Sequence, residues 1–127
     1  MAIGTLPEII IETYGLDCAS PEVKLFPGAI KHMMKRHPGI YETYGNFLQT
    51  IIEEPDFVGQ NPKEPNSVEL IKRLGEDLLI AVKLDPSGYL FLSTMYELNN
   101  GEYKIANRLR SGRLKTFDSL LETSEKM

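Results

Sequence analysis

Two histidines and a small set of cations and hydroxyls are the residues of this chain suited to proton and phosphate chemistry. His32 and His37 lie in the basic segment Lys31-His32-Met33-Met34-Lys35-Arg36-His37 and are the only histidines present. An imidazole titrates near neutral pH, so each is a candidate general acid or base. Five residues apart, they sit about 140° from each other around a helix. They therefore do not share a face as a metal-binding HExxH pair does, and no shared metal is expected. His37 precedes Pro38, which disfavours helical geometry and places the imidazole at or just past a helix C-terminus. The helix dipole favours His⁺ there, while Arg36 opposes it. The plainer alternative is that His32 packs against a sheet and His37 is only a C-cap.

Lys83 stands in the most apolar stretch of the chain, with Ala81 and Leu79 on its face if the residues alternate. A lysine so placed either extends its ammonium to solvent or meets an anion. Ser93, Thr94 and Tyr96 bring hydroxyls to the end of the neighbouring stretch. They can orient a phosphate or simply pair across strands. Arg108, Arg110 and Arg113 carry guanidinium groups suited to two-pronged phosphate contacts, although one helix cannot aim all three at one place. Glu53, Glu54 and Asp56 are a weak metal-site candidate, equally explained by a helix end and turn.

The bulk numbers limit what these residues can serve. The chain has 127 residues, 42% hydrophobic and 25% charged, which suits one domain (1–127, its core about 23–115) with an ordinary apolar core. The lone Cys18 cannot form an internal disulfide, which fits a reducing, cytoplasmic setting. The opening residues have neither a basic nor a long apolar region, so no signal peptide is expected. No run is long and apolar enough to span a bilayer. The net charge of −4 argues against non-specific nucleic-acid binding. Yet eight of the fourteen basic residues fall in two acid-free stretches, Pro27 to Tyr41 and Tyr103 to Phe117. These are either a focused anion site or two solvated helix faces.

Periodicity supplies the elements that must hold these groups. Ile9-Ile10-Ile11 suits either a helical turn opened by Pro7-Glu8 or a strand. Val23 to Phe26 predicts a short strand, and Ala29 to Arg36 a helix with Ile30, Met33 and Met34 facing the core. A second helix is predicted from Glu42 or Tyr44 to Glu53, burying Phe47, Leu48, Ile51 and Ile52. Phe57-Val58-Gly59 leads into a polar loop. Strands are then predicted over Ser67–Leu74, Leu78–Leu84 and Tyr89–Leu98, with Asp85-Pro86-Ser87-Gly88 as a hairpin turn. A short helix follows over Lys104–Ser111, ended by Gly112, and the chain from Thr116 reads as frayed. Helices followed by an antiparallel meander make an α+β domain.

The order of "FPGAIKHMMKRHP", "IIEEPDFVGQNP", "SVELIKRL", "LLIAVKLD", "YLFLSTMYEL" and "RLRSGRLK" resembles the phage-borne nuclease domains of the barnase–EndoU–colicin E5/D–RelE group, and among them the third phage type. The resemblance covers about Val23 to Lys115. It implies N-terminal helices packed on a four-stranded antiparallel sheet. It also implies metal-independent RNA cleavage, in which a ribose 2′-OH attacks the adjacent phosphate to leave a 2′,3′-cyclic phosphate. The site it implies uses His32 or His37 as base or acid. Lys83 and one of Arg36, Arg108, Arg110 and Arg113 hold the phosphate, and Thr94 and Tyr96 orient it. On this reading the protein is an endoribonuclease without cofactor, a phage or mobile-element toxin or effector. Its expected partners are RNA (tRNA among the candidates) and a cognate inhibitor protein, with no membrane; oligomeric state carries no sequence signal. The competing expectation is a non-catalytic RNA- or protein-binding module on the same fold. The acidic net charge favours it, as does the absence of a catalytic glutamate from the two basic patches.

Overall fold

The computed structural model describes residues 1–125. A short strand, β1 (Ala2–Thr5), opens the chain, and Pro7 then caps helix α1 (Glu8–Thr13), so the isoleucine run is helical. After β2 (Glu22–Lys24), Pro27 takes the first position of α2 (Pro27–Arg36), where its fixed φ and missing N–H suit a helix start. Met33 is buried on that helix, but Met34 is 43% exposed, so the expected apolar stripe is narrower than its sequence.

The expected second helix is interrupted. It is α3 (Ile40–Tyr44), a 3-10 turn at Gly45–Phe47, and α4 (Leu48–Glu53). Gly45 and Asn46 are poor helix formers, and the tighter turn leaves Phe47 44% exposed rather than buried. Leu48, Ile51 and Ile52 go to the core as expected.

The remaining elements are β3 (Phe57–Gly59), β4 (Ser67–Arg73), β5 (Asp77–Leu84), β6 (Leu90–Glu97), α5 (Gly101–Ser111), β7 (Leu114–Thr116) and α6 (Phe117–Glu125). The sheet is seven-stranded and mixed, ordered β1-β2-β6-β5-β4-β3-β7, with β2 and β6 parallel and the other pairs antiparallel. The expectation of four antiparallel strands is thereby corrected. The long meander β4–β5–β6 was readable, whereas four strands of three or four residues extend it on both sides. Helices also occur on both sides of the meander in the chain, so they are not N-terminal alone. The segment after Thr116 is not frayed: Phe57 pairs with Thr116, and Leu120 of α6 is buried in the core.

The strands of the meander divide their side chains between two apolar clusters, as period-two alternation requires. Val68, Leu70, Leu78, Ile80, Val82, Leu90, Leu92 and Met95 join residues of α1, α2, α4 and α6 in the larger cluster. Ile71 and Leu79 face the other way and meet Leu98, Ile105 and Leu114 beneath α5. Each fully buried leucine or isoleucine contributes about 1.5–3 kcal/mol. This second face is covered by α5 over only part of its area, and the candidate chemistry lies along the edge of that cover.

Candidate active site on the second sheet face

Glu69 is the residue around which this site is built. It alternates with Val68 and Leu70 on β4 and so points away from the larger core, yet it is only 6% exposed. Its sheet neighbours in register are Gly59 and Ala81, both small, which leaves room above the carboxylate. Arg113 fills that room. Its Nε and Nη2 donate to Glu69 Oε1 at 3.1 and 2.8 Å, and both bonds end on this one oxygen.

Local structure delivers Arg113 to that place. Gly112 ends α5 with φ +85°, a conformation that suits glycine, and turns the chain into β7. A Cβ at Gly59 would meet the Arg113 carbonyl oxygen and lie 2.6 Å from Leu114 Cδ2, so only glycine lets the two backbones approach this closely. Arg108, one turn earlier on α5, has a buried Nη1 without a hydrogen-bond partner. A buried, unsatisfied guanidinium nitrogen is costly and is a natural seat for an anion.

Tyr96 of β6 lies beside these charges. Burial raises its phenol above the ordinary value; the Glu69 charge raises it further, while Arg108 and Arg113 act in the opposite sense. The His37 ring stacks on the Tyr96 ring at 5.3 Å between centroids and 27° between planes. This contact is possible because β2 pairs only with Leu90 and Phe91 of β6. β6 also packs against α2 and α3. His37 caps α2 with its backbone N–H on Met33 O at 2.8 Å, and the turn into Pro38 swings its ring to the second face.

Thr94 lies on the same face, opposite Ala81 in register, which itself faces Glu69. A bulge between Ala81 and Val82 takes up Ser93, so Thr94, not its neighbour, stands on this face. Lys83 is on this face two residues along β5 from Ala81, and its Nζ meets Glu64 Oε1 at 3.3 Å at a half-exposed position. The anion it was expected to meet is thus a side chain of the β3–β4 loop.

Arg113 is therefore paired with Glu69, and Arg108 and Tyr96 lie within reach of its charge. Thr94 is two strands away in the same row, His37 joins the face through Tyr96, and Lys83 is at the rim. His32 and Arg36 are not brought in: both are exposed on α2. Arg110 is also exposed and donates to Asn107 Oδ1 at 3.2 Å. Two members of the acidic trio Glu53, Glu54 and Asp56 are engaged in holding the fold. Glu53 accepts the Thr5 N–H, and Asp56 accepts the Arg73 N–H and lies 3.7 Å from Lys72 Nζ. Among the described residues no group of three or more His, Cys, Asp and Glu side chains is placed to hold a metal. Sequence reasoning missed Glu69. The signal is a lone carboxylate within the apolar stretch Val68-Glu69-Leu70-Ile71, outside both basic patches.

Residues 1–106 match the family described as phage-Barnase-EndoU-ColicinE5/D-RelE like nuclease3. The chain belongs to this family. Neither the curated proteins nor the solved structures contain a match. Within this nuclease-like family member, Glu69, Tyr96 and His37 fall inside the matched span, whereas Arg108, Arg110 and Arg113 follow it. No described helix is long and apolar enough to cross a membrane.

Proposed function

We propose that the protein is a single-domain, metal-independent endoribonuclease that cleaves RNA by transesterification to a 2′,3′-cyclic phosphate. The observation that carries this reading is Glu69, a carboxylate almost fully buried on the second sheet face and held through one oxygen by Arg113. Glu69 Oε2, outside that pair, takes the proton of the ribose 2′-OH. The 2′-oxygen then attacks the adjacent phosphorus, and the P–O5′ bond breaks. His37, oriented by stacking on Tyr96, supplies the proton to the leaving 5′-oxygen. Arg108 and Arg113 stabilise the charge of the phosphorane, which fixed guanidinium donors do without reorganising. Thr94 and the Tyr96 phenol orient phosphate oxygens. His32, Arg36 and Arg110 serve only the electrostatic approach of the polyanion. A cytoplasmic toxin or effector role with a cognate inhibitor follows from the same reading.

The test is incubation of purified protein with tRNA and total RNA in EDTA, followed by analysis of the new ends. Wild type is expected to leave 2′,3′-cyclic phosphates. Glu69→Gln and His37→Ala are expected to lose about 10²- to 10⁴-fold in rate, with His32→Ala close to wild type. Cleavage unaffected by Glu69→Gln, or absent from all proteins, sinks the proposal. One observation favours a second reading, a non-catalytic RNA-binding module: Arg113 already neutralises the Glu69 charge. In that case RNA binds in a salt-dependent manner without strand scission.

A further inference from the structure

Four residues that the proposed chemistry does not use, Lys24, Phe26, Tyr89 and Phe91, extend this region beyond Lys83. Phe91 lies opposite Lys83 in the β5–β6 register and beside Lys24 in the β2–β6 register, so β2, β6 and β5 present Lys24, Phe91 and Lys83 as one row. Tyr89 precedes Phe91 by two residues, with ring centroids 6.0 Å apart. Phe26, 40% exposed, meets Tyr89 edge-on at 5.8 Å. The Lys24 ammonium sits 5.0 Å from the centre of the Tyr89 ring. The next row along the strands is Thr94, Ala81 and Glu69, about 7 Å away at two residues of strand rise. The aromatic row is therefore continuous with the candidate active site.

We propose that this row is a subsite for the unpaired bases of a single-stranded RNA, with Phe91 and Tyr89 stacking bases while Lys24 and Lys83 contact backbone phosphates. The inference rests on the ribonuclease reading and adds the class of RNA. Aromatic rings interleaved with lysines on an open sheet face suit bases whose faces are free, as they are in loops and single strands. A duplex keeps its bases stacked on one another and offers them no such contact. Lys24 and Lys83 supply the positive charge for this occupant. Of the acids near the row, Glu64 is engaged with Lys83 and Asp85 accepts from Ser87 in its turn, while Glu22, on the same side of β2 as Lys24, borders the hollow that Lys24 and Tyr89 line. A phosphate arriving at Lys83 displaces the exposed Glu64 carboxylate, a small cost for a solvent-accessible pair.

The chain has no tryptophan, so Phe91→Trp installs a single reporter. In the Glu69→Gln background, where RNA binds without turnover, the tryptophan is expected to be quenched by a single-stranded oligonucleotide of about ten residues. The matching duplex is expected not to quench it. Fluorescence anisotropy with labelled oligonucleotide is expected to show binding weakened about tenfold or more by Phe91→Ala in the same background. Phe91→Leu, which keeps apolar volume without a ring and is checked by its circular dichroism melt, is expected to weaken it similarly. RNA that binds with no quench, and with affinity unchanged by either substitution, overturns the subsite while leaving the ribonuclease reading standing. A wild-type protein that neither cleaves nor binds RNA overturns both.

Discussion

At the scale of single residues, the Glu69–Arg113 pair sets the character of the site. With the Glu69 side chain 8% and that of Arg113 26% exposed, neither charge is well hydrated. Removing one partner leaves the other desolvated and unpaired, which is the costly case for buried ion pairs. Arg113→Met is expected to lower stability by about 3 kcal/mol, read from the urea midpoint. The double variant with Glu69→Gln is expected to recover most of that loss, because no uncompensated charge remains. Tyr96 gives a pH signature. Its phenol is raised above 10.0, mainly by burial, so between the unfolded and folded values the unfolded chain binds fewer protons. Its contribution is fully present below pH 10 and is lost as pH rises through the folded value. Tyr14, also raised by burial, adds to the same trend. Tyr96→Phe is therefore expected to flatten the alkaline fall in stability, followed by thermal melts between pH 8 and 11. A slope identical to wild type would rule out the assignment.

Among the elements, the short strands do as much positioning as the long ones. β3 and β7 have three residues each, yet their pairing brings the end of α5 to Glu69. Gly59 permits it, so Gly59→Ala pushes β7 away. The expected cost is about 1–3 kcal/mol from overpacking. Because Arg113 moves with β7, RNA cleavage is expected to fall by more than the fraction unfolded accounts for. At the other end of the meander, Glu97 shares a hydrogen bond with Glu76, and the charges of Glu76 and Asp77 also raise its pKa. A carboxylate raised in the folded state binds its proton more tightly there, so its stabilising effect is present at low pH and lost as pH rises. Glu97→Gln is thus expected to raise the melting temperature at pH 7, with the gain vanishing toward pH 4. Strands β4, β5 and β6 were legible because seven or eight residues of mostly apolar, β-favouring type are set off by turn residues such as Asp85-Pro86-Ser87-Gly88. Phe57-Val58-Gly59 was not, since three residues carry no period, and the segment passed for the entrance of a loop.

Over the whole molecule, the C-terminal segment decides whether the site exists. β7 and α6 follow residue 106, and Leu114 and Leu120 fill the two apolar clusters on opposite faces of the sheet. Leu120→Ala is expected to cost about 2–5 kcal/mol, measured by denaturant unfolding. A chain ending at residue 106 is expected to lose cooperative unfolding and RNA cleavage together, as β3 loses β7 from one edge and Arg108 and Arg113 are gone. Residue order alone was enough for the α+β class, the meander, and the C-terminal ends of α2 and α5, although α5 begins three residues before the expected Lys104. These follow from short-range causes: period, turn residues, and proline and glycine at element ends. The order of the seven strands, the exclusion of His32, and the place of Glu69 came only with the folded chain. Glu69 and Arg113 are 44 residues apart, and nothing local to either names the other. Their meeting depends on Gly59 admitting β7 and on β6 lending its free edge to His37, contacts that exist only once distant strands have paired.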